Sequence, residues 1–236
     1  MALDLRSKRA AFRSLHDEGC FVLPNPWDIG GVRRLEKLGF VALASTSAGL
    51  AWALGREDGE VSRDDVLSHL RVLCASTDLP VNADFEAGFA GWPEEVAANV
   101  RLAVDTGVAG LSVEDRTGRE LYPLPLAVER IKASREAIDQ AGADVVLVGR
   151  SEGFLVGRAD IDATVERLAA YADAGADCLY APGIRGPRPH RGGRRRGRAE
   201  AGQRPSGRSR HAGRGSLRSR RPARERRSFP CQGRLG

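Results

Sequence analysis

The 236-residue chain has a single methionine, four cysteines, four histidines and only 6% aromatic residues. Cys20, Cys74, Cys178 and Cys231 lie far apart, with no CxxC pair and no zinc-type spacing. That leaves no disulfide framework or zinc module to expect, and reduced thiols in a cytoplasm are the simplest reading. No run of 18 apolar residues occurs, so no membrane-spanning helix is expected. Residues 1–9 carry early charges and no apolar core segment, unlike a secretory signal. A glycine-rich GxGxxG turn is also missing after the first apolar run, where Pro24-Asn25-Pro26-Trp27-Asp28-Ile29-Gly30-Gly31 stands instead. This argues against a doubly wound dinucleotide-binding sheet.

The remaining composition splits in two. Residues 186–236 hold 17 Arg, 10 Gly, 5 Pro and 5 Ser, but no Val, Ile, Thr, Asn, Asp or Lys. This segment has a net charge of +15, which leaves residues 1–185 at −9, so the basic balance of the whole chain belongs to its end. With almost no apolar side chains, residues 186–236 cannot offset the entropy of folding, and a disordered tail is expected. Arg, Gly, Pro, Ala and Ser are residues of GC-rich codons, and we read the tail as an out-of-frame translation. The alternative is a basic arm that binds nucleic acid or another polyanion through phosphates.

Residues 1–185 repeat a unit. Around Gly39, Gly107, Gly142 and Gly175 a helix-like stretch ends in glycine and a short apolar run follows. Glycine closes a helix in the left-handed conformation, and an apolar run of this length suits a buried parallel strand. The pattern predicts strands near 20–24, 41–45, 80–84, 109–114, 144–150 and 177–181. Helices are predicted near 28–38, 63–76, 93–106, 124–140 and 159–174, after a leading helix from Leu5 to His16. Alternation at this spacing predicts an α/β fold, a (β/α)8 barrel of the TIM type. Eight units of about 34 residues need roughly 270 residues, so the barrel is expected to be truncated after about six strands.

In such a barrel the chemistry collects at the carboxyl ends of the strands. Here those ends read Ser45-Thr46-Ser47-Ala48-Gly49, Asp84-Phe85-Glu86, Glu114-Asp115 and Arg150-Ser151-Glu152. Carboxylates at separate strand ends suit a hard divalent cation, held directly or through water. Arg150 suits a substrate carboxylate, while Ser47 and the small Ala48-Gly49 turn offer donors to an anion. Taken singly, these acids also read as helix caps or solvated loop residues, and Arg150 as a structural partner of Glu152 or Asp115. Asp58 lies in a Gly-rich loop, where a turn role is as natural as a ligand role. Trp27 and Asp28 suit a helix start, and His16 and His69 read as structural.

Taken together, Pro24-Asn25-Pro26-Trp27-Asp28, Ser45-Thr46-Ser47-Ala48-Gly49, Val81-Asn82-Ala83-Asp84-Phe85-Glu86-Ala87-Gly88-Phe89, Val113-Glu114-Asp115 and Val148-Gly149-Arg150-Ser151-Glu152 resemble the isocitrate lyase / phosphoenolpyruvate mutase superfamily. The resemblance runs from about Phe12 to Arg185. It implies a (β/α)8 barrel, Mg2+ (or Mn2+), and a small 2-oxo or 2-hydroxy carboxylate whose C–C or P–C bond is broken or formed through an enolate. It implies that Asp84 is the principal metal carboxylate, with Glu86 and Glu114 as further acids around the metal. Arg150 becomes the substrate-binding arginine, Ser47, Ala48 and Gly49 the anion-holding segment, and Asp58 an acidic loop residue shaping the site. Asp58, Glu114 and Arg150 are thus the expected catalytic residues. Lyases of the superfamily carry a Lys-Lys-Cys-Gly-His type lid after the fourth strand. Residues 115–123 here contain neither Cys nor His, so a cysteine acid/base is not expected. The superfamily also implies a homo-oligomer, built with closing helices that residues 186–236 do not supply. Little activity is expected of a barrel left open in this way.

Overall fold

The computed structural model describes residues 4–184. The expected tail, residues 186–236, lies outside the described residues, and so do the readings of it as a basic arm or an out-of-frame product.

Five of the seven helices begin at a side-chain cap, and the other two at a proline. Helix α1 (Leu5–Ser14) starts after Asp4, whose carboxylate accepts the Ser7 N–H, and α2 (Ile29–Lys37) starts after Asp28, which accepts from Gly31. Thr46 caps the short α3 (Ser47–Ala53), and Ser62 caps α4 (Arg63–Ala75) with Asp64 and Asp65 in the first turn. Helix α5 (Pro93–Val104) opens on proline followed by Glu94 and Glu95, where missing donors and acidic charge cost least. Helix α6 (Leu124–Gln140) follows Pro123, and Asp160 caps α7 (Ile161–Asp173). The four repeat glycines stop their helices with φ between 61° and 101°, as Gly39, Gly107, Gly142 and Gly175.

Five strands follow these helices: β1 (Leu43–Ala44), β2 (Val81–Asp84), β3 (Gly110–Glu114), β6 (Val146–Arg150) and β7 (Cys178–Tyr180). They form one parallel sheet in the order β1-β2-β3-β6-β7, so each strand pairs with the next of the sheet along the chain. A small antiparallel hairpin, β4 (Arg116–Thr117) with β5 (Glu120–Leu121), rises from the end of β3. Strands and flanking helices form a curled partial barrel, as the repeat predicts.

The strand expected near 20–24 is not formed. This segment meets β1 through one backbone bond, Ala44 N–H to Pro24 O (3.0 Å). Pro24 and Pro26 have no N–H to extend a ladder. The Asn25 side chain takes over instead, donating Nδ2 to Ser45 O at 3.0 Å. Two features were not expected: the hairpin, and α3 in place of a turn at Ser47, Ala48 and Gly49.

The two faces of the sheet are packed differently. Leu43, Val81, Ala83, Leu111, Val113 and Leu147 face the helices and form the main core. Ala42, Ala109, Val146 and Val148 face the barrel interior, which Phe12 of α1 closes from below. Gly110 makes this possible, because a Cβ there would lie 2.5 Å from Phe12 Cε1 and 2.6 Å from Asn82 Oδ1. Arg9 anchors α1 by donating to Val108 O (3.0 Å) and Val104 O (2.8 Å).

Candidate active site at the carboxyl ends of the strands

Parallel pairing places Asp84, Glu114, Arg150 and Tyr180 at the same end of adjacent strands, with Glu114 in register with Arg150 and Arg150 with Tyr180. Arg150 sits at the centre. Its Nε donates to Glu152 Oε1 at 2.5 Å, and its Nη1 lies 3.3 Å from Asp84 Oδ1 and 4.0 Å from Glu114 Oε1. Its guanidinium also stands over the Tyr180 ring, 5.4 Å from the centroid. Burial works against the Arg150 charge, but Glu114, Asp84 and Glu152 outweigh it and raise its pKa.

Asp84 is held on both oxygens. Its Oδ2 accepts from the Ser47 N–H (3.1 Å) and hydroxyl (3.0 Å), while its own N–H donates to Ser45 Oγ (2.9 Å). Ser47 therefore spends its donors on Asp84, which differs from the expected anion-holding turn. Gly49 differs too: its Cα faces Trp27, and a Cβ would come within 2.9 Å of that ring. Its absent side chain seats Trp27, and Ala48 lies half-buried between the two in α3.

The loop after β2 is strained. Glu86 and Phe89 have φ of 47° and 55°, a conformation uncommon for residues other than glycine and concentrated at functional sites. The Glu86 backbone oxygen accepts the Glu114 N–H at 2.9 Å, tying the loop to β3. Its carboxylate Oε1 is buried with no hydrogen-bond partner among the described residues. Burial first, then the charges of Asp84, Glu114 and Asp58, push the Glu86 pKa up to about 7, against the pull of Arg116. Glu114 is buried and also raised, mainly by burial, with Arg150 opposing.

Asp58 is not in the cluster. It is exposed in the loop before α4 and acts on Glu86 and Arg116 only through its charge. The three expected metal carboxylates are not assembled as a direct ligand set either. Among the described residues, no group of three His, Cys, Asp or Glu side chains is arranged to hold a metal ion. The reason is visible in the pairing: Arg150 occupies Asp84, and Arg116 of the hairpin occupies Glu114 Oε2 at 2.8 Å. The donor chemistry nonetheless fits a hard cation, since three acids crowd one strand end and one buried carboxylate oxygen lacks a donor.

Of the two partners the sequence offers Arg150, Glu152 is the one it pairs with, while Arg116, Arg130, Arg167 and Tyr171 were given no role from sequence. Glu152, fully buried, pairs with Arg150 and lies 3.7 Å from Arg116. Asp115 gathers four donors: Ser151 Oγ (3.0 Å), Glu152 N–H (2.9 Å), Arg167 Nη1 (3.2 Å) and Tyr171 OH (2.6 Å). Arg130 of α6 donates to the carbonyls of Ala87, Ala90 and Gly91 in the strained loop and stacks on Tyr122, 4.1 Å from its centroid. Asp115 stands directly after Glu114, and Glu152 two residues after Arg150.

A curled parallel α/β sheet with its carboxylates and arginine gathered at the carboxyl end of the strands defines a (β/α)-barrel class of fold, with its chemistry-bearing residues where such barrels carry their sites. Residues 12–189 match the family model described as phosphoenolpyruvate phosphomutase, and the chain belongs to that family, within the isocitrate lyase / phosphoenolpyruvate mutase superfamily. It is 30% identical to the 2-methylisocitrate lyase of Escherichia coli K12 over 160 residues, covering 63% of this chain and 53% of that enzyme. A lyase/mutase-type structure from Burkholderia cenocepacia J2315 superposes with a TM-score of 0.76 at 47% identity, covering 78% of this chain and 68% of that one. The structure of a 2,3-dimethylmalate lyase superposes at 0.69 with 30% identity, covering 78% and 65%. The chain spans between 49% and 65% of the length of eight curated relatives.

Proposed function

We propose that this chain carries the active site of a divalent-cation-dependent lyase or mutase acting on a small 2-oxo or 2-hydroxy carboxylate. The observation that supports it is the convergence of Arg150 with Asp84, Glu86 and Glu114 at the carboxyl ends of adjacent parallel strands. Arg150 binds the substrate carboxylate, and Asp84, Glu86 and Glu114 are the residues that would hold a divalent cation. Mg2+ or Mn2+ bound there would stabilise the negative charge that develops on the 2-oxo oxygen as the neighbouring C–C or P–C bond breaks. Ser47 keeps Asp84 oriented, and Arg116 balances the buried Glu114. Asp58 sets the field at Glu86 from outside the cluster. The thiols Cys74 and Cys178, unpaired by disulfides, suit a cytoplasmic setting, and a homo-oligomer suits a sheet with open edges.

The test is a turnover screen of the full chain with Mg2+ against 2-methylisocitrate, 2,3-dimethylmalate, oxaloacetate and phosphonopyruvate, following loss of substrate and appearance of product by NMR. Mg2+-dependent oxalate binding, weakened by Arg150→Lys or Asp84→Asn, with at most weak turnover that chelator abolishes, is the expected result. Failure to turn over any of them, joined to failure to bind oxalate in the presence of Mg2+, overturns the reading.

A further inference from the structure

Arg150 has three places to bond, and the protein already uses two. Its Nε is held by Glu152 and its Nη1 by Asp84, with Glu114 beyond at 4.0 Å, while Nη2 has no hydrogen bond among the described residues. The guanidinium is planar, so fixing Nε and Nη1 fixes the direction of Nη2. The residue that sets this geometry is itself immobilised. Glu152 has no exposed surface, and its backbone N–H donates to Asp115 Oδ1 at 2.9 Å. Its carbonyl accepts from Leu155 (2.9 Å) and Val156 (3.1 Å). One carboxylate oxygen, Oε2, has no hydrogen-bond partner among the described residues, and Arg116 Nε lies 3.7 Å from it. A buried carboxylate left half-satisfied is costly, so its place between two arginines needs a reason beyond packing.

We infer that Glu152 is a positioning residue for substrate binding: it fixes Arg150 through Nε so that the Nη end of the guanidinium is offered to the substrate carboxylate in one direction, and it keeps Arg116 beside the site. This rests on the function proposed above and deepens it. Arg150 then meets its substrate through the N–H groups left free on Nη2 and Nη1, with the Nε side closed.

The experiment uses the full chain with Glu152→Gln and Glu152→Ala, and two readouts. The first is the 15N-resolved arginine Nε–H spectrum, in which the Arg150 signal is identified by its loss in Arg150→Lys. A downfield, exchange-protected Nε–H is expected in the wild type, diminished in Glu152→Gln and lost in Glu152→Ala. The second is oxalate binding with Mg2+ by calorimetry, expected to weaken about tenfold in Glu152→Ala and less in Glu152→Gln. A protected Nε–H together with wild-type oxalate affinity in Glu152→Ala overturns the inference. If Glu152→Ala loses its near-UV circular dichroism, Glu152→Gln decides, and an unchanged Nε–H shift with unchanged affinity there overturns it equally. If the wild type binds no oxalate, the functional reading falls, while the Nε–H signal still reports whether Glu152 holds Arg150.

Discussion

Replacing Arg130 by methionine tests how the strained loop is held. The Arg130 side chain is 1% exposed and forms no ion pair with a carboxylate among the described residues. Its guanidinium instead donates to Ala90 O (2.5 Å), Gly91 O (2.7 Å) and Ala87 O, and stacks on Tyr122. Three hydrogen bonds from a charged donor, at about 1.5–3 kcal/mol each, put the gross loss at about 4.5–9 kcal/mol. Against this stands the desolvation of a buried guanidinium, several kcal/mol that methionine does not incur. The carbonyls decide the balance, because methionine fills the stem volume and leaves three acceptors without a donor. The net cost expected is about 3–5 kcal/mol, as when a buried charge loses its partners. With a urea m-value of about 2 kcal/mol/M, the midpoint falls by about 1.5–2.5 M. Arg130→Lys, a point charge that reaches fewer carbonyls, should fall between the two. Equilibrium urea unfolding followed by circular dichroism measures both. An Arg130→Met midpoint within about 0.3 M of wild type would refute the reasoning and mean that water satisfies the three carbonyls.

Gly110→Ala should destabilise by about 1–3 kcal/mol through overpacking, since the new methyl overlaps Phe12 and Asn82. In a double-mutant cycle its cost should shrink when Phe12 is already alanine, and strict additivity would count against the contact. Tyr171→Phe deletes one of four donors to Asp115 and should cost about 1–2 kcal/mol, read as a lower Tm. His69 has a buried, unpartnered Nε2, and burial lowers its pKa against the opposing charge of Asp28. The unfolded chain takes up this proton near the ordinary histidine value of about 6.5, the folded one only at lower pH. Stability from this group is therefore present above that value and lost as pH falls below it. The urea midpoint of wild type should drop more between pH 7.5 and 5.5 than that of His69→Gln, and equal drops would refute it.

Much of the fold is legible in residues 1–185 because its signals are local. Glycines after α2, α5, α6 and α7, capping side chains before α4 and α7, prolines at the starts of α5 and α6, and the apolar runs beyond place these helices and the strands they precede. Features made by distant residues are not legible. Ser47-Ala48-Gly49 reads as a small-residue turn, because part of the reason for Gly49 is the ring of Trp27, brought in from another segment beside the local Thr46 methyl. The apolar run at 20–24 reads as a strand, but Pro24 and Pro26 stop the ladder and a side chain of Asn25 completes it. The site follows the same division. Asp84, Glu114 and Arg150 are visible as strand ends, and Glu86 lies in the loop just beyond. The arginines that occupy two of the acids, and the carboxylate of Glu152 that aims one of them, emerge only when the strands align. Asp58 shares a segment with the site but not its contacts.

The order of the strands in the sheet is the order in which they leave the ribosome. Each new strand of the sheet finds its only required partner already made, so the sheet can grow from β1 by successive addition, with short loops to close and little search. Helix α1 is the exception. It is synthesised first, yet its seat beneath Gly110 exists only once β3 has emerged, roughly a hundred residues later. Until then Phe12 lacks that seat, so α1, made before every strand of the sheet, docks only after three of them have formed.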